Sequence, residues 1–306
     1  MNSDKKNTEL IVILGPTASG KTALAVDLAY KVNGEIISVD SRQVYKNMNI
    51  GTGKDLLEYK RNDKDIPYHL IDICDAGDKY NVARFQNDFN KVFNQVKSRN
   101  SVPILCGGTG LYIQVVISDF WKSQVPINES FRSELETLDT EVILGKYVRF
   151  LEGYSFSSRK RLIRMVEICD YLDKNPEFLK EEFKSINYAI FGLNPALGLR
   201  RERISKRLKD RFERQNMVAE VRNLLDSGVS PETLEYYGLE YKYISYFIKN
   251  EMTFEQMYTK LETEIHRFAK RQMTFFRSME SKEFEINWIP DSLNQEQKLQ
   301  FILDKV

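Results

Sequence analysis

The chain has 306 residues, 42% of them hydrophobic, which is enough for one large domain or two ordinary domains with a buried core. Because 45 Lys and Arg residues face 44 Asp and Glu residues, a nucleic-acid partner would have to be held by local basic patches and not by an overall positive field. Three widely spaced cysteines give neither a disulfide framework nor a zinc site, and no apolar stretch approaches the ~20 residues that cross a bilayer, so the expected location is cytoplasmic.

The first third of the chain alternates strand-like and helix-like segments. Leu10–Leu14 is a short β-branched run that ends in a glycine-rich loop, and residues 22–32 carry apolar side chains at helical spacing. Residues 35–39 predict a second buried strand, and residues 102–106 predict a third. Strands that alternate with helices predict the α/β class with a parallel sheet.

The chain changes character after residue 117. Residues 129–184 are dense in charge and helix formers, which predicts a helical insertion at residues 118–186. Tyr188–Leu193 predicts one more strand, and residues 200–279 are almost wholly helical, with a capping box from Thr253 to Gln256. We therefore predict a core of residues 1–117 and 187–306, with a helical C-terminal part, interrupted by the insertion.

A phosphate-binding loop is predicted at residues 15–22, which match G-x-x-x-x-G-K-[ST] between a strand and a helix. Gly15 and Gly20 let backbone N–H groups turn towards a phosphate, and the helix N-terminus adds partial positive charge. Lys21 is expected to hold the terminal phosphate, and Thr22 is expected to hold Mg²⁺ through its hydroxyl. Kinases, nucleotide triphosphatases and transferases that release diphosphate can share this loop, so the reaction stays open. The other loop residues are Pro16, Thr17, Ala18 and Ser19.

Asp40 follows the second predicted strand, and ligands of open α/β sheets bind over the carboxyl ends of the strands. We therefore expect Asp40 to face the phosphate loop. It could accept a proton from an amine or hydroxyl nucleophile, or ligate Mg²⁺ through water. The local sequence also permits a plain turn or helix-capping aspartate.

Several motifs follow one another along the chain: GPTASGKTALA, EIISVDSRQVYKNMNIGT, PYHLIDI, VPILCGGTGLY, RERISKR and HRFAKRQMTFFR. This ordered set resembles the tRNA dimethylallyltransferases, also called isopentenyl-diphosphate:tRNA transferases, over nearly the whole chain apart from the insertion. The resemblance implies a P-loop NTPase-like fold and transfer of a dimethylallyl group from dimethylallyl diphosphate to N6 of adenosine 37 in tRNA. It further implies that the phosphate loop holds the diphosphate with Mg²⁺ and that Asp40 is the general base. We expect the protein to be a monomer.

The resemblance assigns two further residues to the diphosphate end of the site. Thr109 matches a family threonine whose hydroxyl can donate to a phosphate oxygen, although a plain strand-to-helix connection would explain the glycines around it. Arg203, Arg207 and Arg211 recur at helical spacing and should form one stripe. Arg207 matches the diphosphate contact, whereas a charged surface helix is the usual explanation of such runs.

The RNA side is predicted from basic clusters. Lys and Arg neutralise phosphates, and an adenine stacked in an anticodon loop must be flipped into a pocket, which residues 41–44 are placed to contact. The insertion corresponds to the family's helical arm, which grips the anticodon stem. Phe275 and Phe276 are interpreted as core residues. The predicted tRNA contacts are Ser41, Arg42, Gln43, Val44, Gly110, Arg132, Arg161, Arg164, Lys270, Arg271 and Gln272.

The chain departs from the family on this side. Residues 155–165 lack a usual His-Pro-Asn-Asp stretch, and Leu239, His266 and Phe275 replace a usual Tyr, Thr and Trp. These changes put the choice of tRNA or the efficiency of its modification in question, while the residues of the diphosphate chemistry are intact.

Other functions stay open at this point. A transferase acting on free AMP, ADP or ATP would share the loop and Asp40 but could dispense with the insertion and the C-terminal basic clusters. A P-loop kinase would need a Walker B aspartate and an arginine-rich lid, neither of which the sequence shows clearly. A non-enzymatic RNA-binding module would leave the loop and Asp40 unexplained, and occupancy of the loop by ATP is also compatible with the sequence.

Overall fold

A computed structural model describes residues 8–118, 121–152, 156, 158–180 and 186–306. The strands of this part of the chain are β1 (Leu10–Leu14), β2 (Gly34–Ser38), β3 (Lys60–Arg61), β4 (Lys64–Asp65), β5 (Tyr68–His69), β6 (Val102–Gly107), β7 (Tyr188–Leu193) and β8 (Ile286–Ile289). The helices are α1 (Lys21–Val32), α2 (Val82–Ser98), α3 (Gly110–Ile117), α4 (Glu129–Thr137), α5 (Thr140–Lys146), α6 (Val148–Leu151), α7 (Arg159–Lys174), α8 (Leu197–Glu213), α9 (Met217–Asp226), α10 (Pro231–Tyr237), α11 (Leu239–Ile248), α12 (Phe254–Glu280) and α13 (Gln295–Leu303).

Within the described residues, six strands form one sheet in the order β5-β2-β6-β1-β7-β8, and each neighbouring pair is parallel. A parallel sheet is covered by helices on both faces, which explains why β1 is a continuous apolar run without alternation of polar residues. The predicted α/β class and the predicted parallel sheet are confirmed.

The two cores of the sheet follow from the geometry of β1, because successive side chains of a strand point to opposite faces. Leu10, Val12 and Leu14 belong to a core that also contains residues of α2, α3 and α8 to α12. Ile11 and Ile13 belong to a second core with residues of α1 and α13. The central strand is therefore buried from both sides, and only its ends are available to a ligand.

The C-terminal part contains a strand that the sequence did not predict. β8 pairs with β7, with Ile286 opposite Ile190 and Ile289 opposite Leu193. Its four residues are too few to show a period of two, so the prediction of an all-helical C-terminal part is wrong at this place. The predicted capping box at the start of α12 is present, with reciprocal bonds between Thr253 and Gln256.

The chain divides into two compact units, and residues 118–185 form the smaller one. Its helices α4 to α7 enclose an apolar core whose buried members include Leu135, Ile143, Leu162 and Val166. In the described part of the chain, no helix combines the length and the apolar character needed to span a bilayer.

Candidate active site

The phosphate loop lies at the carboxyl end of β1 and leads into α1. Ala18 and Gly20 adopt positive φ angles of 61° and 85°, which turn the backbone before the helix begins at Lys21. Ser19 donates through its N–H to the Pro16 carbonyl at 3.2 Å. The hydroxyl of Ser19 is buried and has no hydrogen-bond partner within the described chain. An unsatisfied buried donor at a helix N-terminus is suited to a phosphate oxygen.

The residues that follow β2, β6 and β1 lie along one edge, because these strands are neighbours in a parallel sheet. The turn at residues 107–110 therefore lies between the phosphate loop and Asp40. Thr109 donates through its N–H to the Val39 carbonyl at 3.3 Å, and its hydroxyl oxygen accepts from the Ser41 N–H at 3.2 Å. Thr109 thus contacts the residues on both sides of Asp40, and its hydroxyl proton is left to donate elsewhere.

A cavity of about 760 Å³ lies over this edge of the sheet. Its lining brings together the phosphate loop from Thr17 to Thr22, Asp40 after β2, and basic residues of α8. The cavity is large enough for a small diphosphate and part of a second substrate. The cationic side chains of its lining are Lys21, Arg42, Arg203, Arg207, Arg211, Lys242, Arg271 and Lys298.

Two of these cations, Lys21 and Arg207, have the burial and charge expected of an anion-binding site. Burial lowers the pKa of Lys21 and lowers the pKa of Arg207 to about 10, and repulsion from Arg211 acts in the same direction on Arg207. Lys21 donates to the Pro16 carbonyl at 3.4 Å, and Arg207 donates to the Thr17 hydroxyl. Desolvated cations gain strongly from an anionic ligand, so these side chains favour a phosphate group in the cavity.

The predicted arginine stripe of α8 lies along the cavity, since Arg203, Arg207 and Arg211 all line it. Arg211 is 3% exposed and pairs with Glu240 at 3.3 Å. A Cβ at Gly53 would lie 2.2 Å from the Arg211 guanidinium, so glycine permits the backbone to approach it. A solvated surface helix therefore does not describe Arg211.

The two carboxylate oxygens of Asp40 have different surroundings. Its Oδ1 accepts from the Arg42 N–H at 2.9 Å, which is the turn that the local sequence permits. Within the described residues Oδ2 has no hydrogen-bond partner, and Asp40 lines the cavity. The turn therefore accounts for one carboxylate oxygen and leaves the other for a ligand.

Besides Asp40, four carboxylates line the cavity, namely Asp55, Glu58, Glu235 and Glu240, and sequence reasoning found none of them as site residues. Asp55 and Glu58 lie in and beside the 3₁₀ helix Leu56–Tyr59. Burial raises the pKa of Glu58, and the neighbouring Asp55 adds to this shift. Neither residue belongs to a recognisable spacing pattern, and only their position over the phosphate loop indicates a role.

The segment between Asp40 and the 3₁₀ helix is held by ionic side chains, of which Lys54 is buried. The Glu220 carboxylate accepts from three successive backbone N–H groups of residues 49–51 at 2.8 to 3.0 Å, and from the Tyr241 hydroxyl at 2.8 Å. Lys54, with a fully buried side chain, donates to Asp72 at 2.5 Å. These contacts join residues that are far apart in sequence, so no local motif could have predicted them.

The predicted adenine-contacting residues divide into two groups. Gln43 lines the cavity and donates to the Gly53 carbonyl at 3.0 Å, while the Arg42 guanidinium lies 4.9 Å from the centre of the Tyr236 ring. Val44 is 1% exposed and belongs to the core, so the structure does not bring its side chain to the cavity.

The helix α12 packs directly on the turn at residues 107–110. A Cβ at Gly108 would lie 2.2 Å from the Gln272 amide nitrogen, and a Cβ at Gly110 would lie 2.2 Å from the Phe275 ring. Glycine is therefore required at both positions for this close approach. Phe276 is fully buried, as predicted for a core residue, and Phe275 is partly buried against the same core.

The remaining predicted RNA contacts differ in exposure. Lys270 and Arg271 are exposed on α12, and Arg161 is exposed on α7. Arg132 and Arg164 instead flank the buried Glu167 at 2.5 and 3.6 Å, and burial lowers the pKa of Arg164. These last two arginines therefore hold the smaller unit together.

Comparison with known proteins gives a consistent set of relatives. The family model described as IPP transferase matches residues 43–279. The chain is 47% identical over 301 residues to tRNA dimethylallyltransferase 2 of Bacteroides fragilis, which covers 97% of this chain and 98% of the relative. It is 50% identical over 286 residues to tRNA dimethylallyltransferase 1 of Azobacteroides pseudotrichonymphae, with 92% of each chain covered.

Solved structures resemble the fold over the same length. The full-length tRNA isopentenylpyrophosphate transferase from Bacillus halodurans is 29% identical, with a TM-score of 0.71 over 98% of this chain and 97% of that chain. A eukaryotic dimethylallyltransferase acting on tRNA has a TM-score of 0.81 over 98% of this chain and 81% of that chain. Its identity is 23%, so this second likeness shows the fold alone.

Proposed function

Because the chain belongs to the family of tRNA dimethylallyltransferases, enzymes that modify tRNA by prenyl transfer, we propose that Asp40 is its general base for attack of adenosine 37 on dimethylallyl diphosphate. The observation that carries this assignment is that Asp40 and the phosphate loop line one cavity. In this proposal, the Asp40 oxygen that has no hydrogen-bond partner among the described residues receives the adenosine, and the two desolvated cations receive the diphosphate.

The proposed chemistry is a displacement in one step. The N6 amine of adenine is a weak nucleophile, so removal of its proton by Asp40 as the C–N bond forms lowers the barrier. The C–O bond to the diphosphate breaks, and the departing group gains negative charge, which Lys21, Arg207 and the loop N–H groups offset. The proton ends on the Asp40 carboxylate, and no covalent intermediate with the protein is required.

A magnesium ion fits the residues around the phosphate loop. The Thr22 hydroxyl lies in the first turn of α1, and the carboxylates of Asp55 and Glu58 line the same cavity, so the donors are oxygens, which Mg²⁺ prefers. The ion would neutralise charge on the diphosphate. We propose Thr22 as its protein ligand, as the motif indicates.

The tRNA is proposed to lie where exposed basic residues surround the Asp40 side of the cavity. We propose that Lys and Arg there neutralise the RNA backbone, and that Gln43, which lines the cavity and donates to the Gly53 carbonyl, contacts the target base. The smaller unit is proposed to grip the anticodon stem through its exposed basic face. We further propose a cytoplasmic monomer. The proposed direct contacts are Ser41, Arg42, Gln43, Arg161, Lys270 and Arg271, whereas Gly110 is buried beneath Phe275, and Arg132 and Arg164 support the smaller unit.

The test is transfer of labelled prenyl from dimethylallyl diphosphate, with Mg²⁺, to an anticodon stem-loop carrying adenosine 37. The matched control is the same stem-loop with guanosine at position 37, and parallel reactions contain AMP or ATP. Label in the adenosine stem-loop alone supports the proposal. Label in the free nucleotides alone would make the protein an adenylate prenyltransferase, and label in none of them would contradict prenyl transfer.

A further inference from the structure

One side-chain amide joins the two loops that carry the two halves of the site. Gln272 of α12 is 9% exposed. Its carbonyl oxygen accepts from the Thr17 N–H of the phosphate loop at 2.9 Å, and its amide nitrogen donates to the Gly108 carbonyl at 3.1 Å. The donor and the acceptor of one carboxamide therefore hold both loops at a fixed separation.

The contacts continue from both ends of this amide. On one side, the hydroxyl of Thr17 accepts from Arg207, a proposed diphosphate contact. On the other side, the residue after Gly108 is Thr109, which is bonded to the residues immediately before and after Asp40. Hydrogen bonds, together with the backbone of Thr17 and the peptide bond from Gly108 to Thr109, thus connect the diphosphate end of the cavity through Gln272 to the segment of the proposed base.

We propose that Gln272 is a positioning residue, which holds the phosphate loop and the Asp40 segment in register for the transfer. The inference rests on the proposed function, because a reaction between two bound substrates requires their reacting atoms to be aligned. A displacement of about 1 Å can reduce such a rate by roughly 10²-fold. Gln272 was predicted to contact tRNA and it does line the cavity, but its carbonyl oxygen and its amide nitrogen are each bonded to the backbone of a loop, which favours a positioning role.

The first test replaces Gln272 by leucine, which has a similar volume and no polar atom. We expect Gln272→Leu to lower kcat by roughly 10- to 100-fold at saturating substrates, while the affinities for Mg²⁺–pyrophosphate and for the stem-loop stay within about threefold. An unchanged kcat with a raised KM for the stem-loop would overturn the proposal and make Gln272 an RNA contact. If wild-type protein does not transfer prenyl at all, the proposed function itself fails.

The matched control is Gln86→Leu. Gln86 is also a buried helical glutamine, 7% exposed, whose amide donates to the Val115 carbonyl at 3.2 Å, and it does not line the cavity. We expect this variant to keep kcat within about twofold of the wild type, even if its unfolding temperature falls. An equal loss of kcat in both variants would reduce Gln272 to a general packing role and overturn the proposal.

A second variant separates alignment from folding. Gln272→Glu keeps the acceptor for the Thr17 N–H but places a carboxylate oxygen against the Gly108 carbonyl. Protonation would restore a donor there, so the ratio of variant to wild-type kcat should rise severalfold from about pH 8 to about pH 5.5. A ratio that stays constant with pH, while Gln272→Leu retains near-normal kcat, would exclude the positioning role.

Discussion

Among the described residues, the Asp40 carboxylate accepts one hydrogen bond, from the Arg42 N–H, and this bond allows the roles of turn and base to be separated. We expect Asp40→Ala to reduce turnover by ~10² to 10⁴ while binding of Mg²⁺–pyrophosphate is kept, because the proton acceptor is lost. Single-turnover prenyl transfer and calorimetry measure the two quantities. Asp40→Asn is the control, since its amide oxygen keeps the turn but cannot take the proton. Near-normal turnover of Asp40→Asn would remove Asp40 as the base.

Substitution of Arg207 tests its proposed contact with the diphosphate. Charge-assisted hydrogen bonds of a desolvated arginine contribute about 1.5–3 kcal/mol, so Arg207→Ala should weaken pyrophosphate affinity by roughly 10- to 100-fold. Lys209→Ala is the control on the same helix, because Lys209 is exposed and pairs only loosely with Glu213 at 3.8 Å. Calorimetry in the presence of Mg²⁺ gives both affinities. Equal affinities in the two variants would return Arg207 to a structural role.

The same arginine predicts a pH dependence. Burial lowers the pKa of Arg207 to about 10, so its charged form is complete at neutral pH and is lost as the pH rises through about 10. Pyrophosphate affinity of the wild-type protein should therefore fall over this range, and that fall should be smaller in Arg207→Ala.

At the scale of elements, the Glu35 side chain connects the strand β2 to Arg99 and to the edge strand β5. Its carboxylate accepts from Arg99 at 2.7 and 3.0 Å, and its Oε2 lies 2.7 Å from His69 Nε2 on the edge strand β5. Hydrogen bonds from Arg99, supported by the contact with His69, lower the pKa of Glu35 from 4.5 to about 2. A depressed carboxyl pKa stabilises the fold above pH 4.5, and this stabilisation is lost as the pH falls towards 2.

We therefore expect Glu35→Gln to lower the free energy of unfolding by about 1–2 kcal/mol at neutral pH, after allowance for the half-exposed arginine partner. The difference from wild type should shrink as the pH falls below 4.5. Urea unfolding at a series of pH values measures it. The exposed Glu285→Gln variant should show no such dependence, and a difference that is constant with pH would contradict the assignment.

Elements were predictable from sequence where the pattern is local and long enough. The phosphate loop, β1, α1 and the capping box at Thr253 each carry their own signal within about a dozen residues. The strand β8 has four residues, and its pairing with β7 is decided by the tertiary fold. The hydrogen bonds that support the site could not be predicted for the same reason. Glu220 and Gln272 bond to backbone groups more than 150 residues away in the sequence.

At the scale of the whole molecule, two departures from the family pattern, Leu239 and Phe275, lie in or beside the cavity but outside the phosphate loop. Leu239 lines the cavity, and Phe275 packs on Gly110, whereas Lys21, Thr22 and Asp40 keep the residue types of the family motif. We therefore predict that residues of the phosphate loop and Asp40 carry the chemistry, and that the residues which depart from the family pattern affect the choice of RNA.

Because the chain has nearly equal numbers of basic and acidic residues, RNA binding is expected to depend on local groups of basic residues. With 45 basic and 44 acidic residues the chain has no overall attraction for RNA, and we predict that its affinity comes from local sites such as the exposed Lys270 and Arg271 of α12. Each phosphate contact contributes about 0.7 to 0.9 to the slope of log K against log salt concentration. The number of contacts removed by a substitution can therefore be measured directly.

The double variant Lys270→Ala with Arg271→Ala should weaken stem-loop binding and flatten its salt slope by about 1.4 to 1.8, because two phosphate contacts are lost. The control pair is Lys260→Ala with Arg267→Ala, which removes the same charges from the same helix at exposed positions that do not line the cavity. Fluorescence anisotropy of a labelled stem-loop over a range of salt concentrations gives both slopes. If the two double variants have the same slope, the affinity arises from total charge on α12. If only the first is flattened, the RNA lies against the part of the helix that carries Lys270 and Arg271, beside the cavity of Asp40.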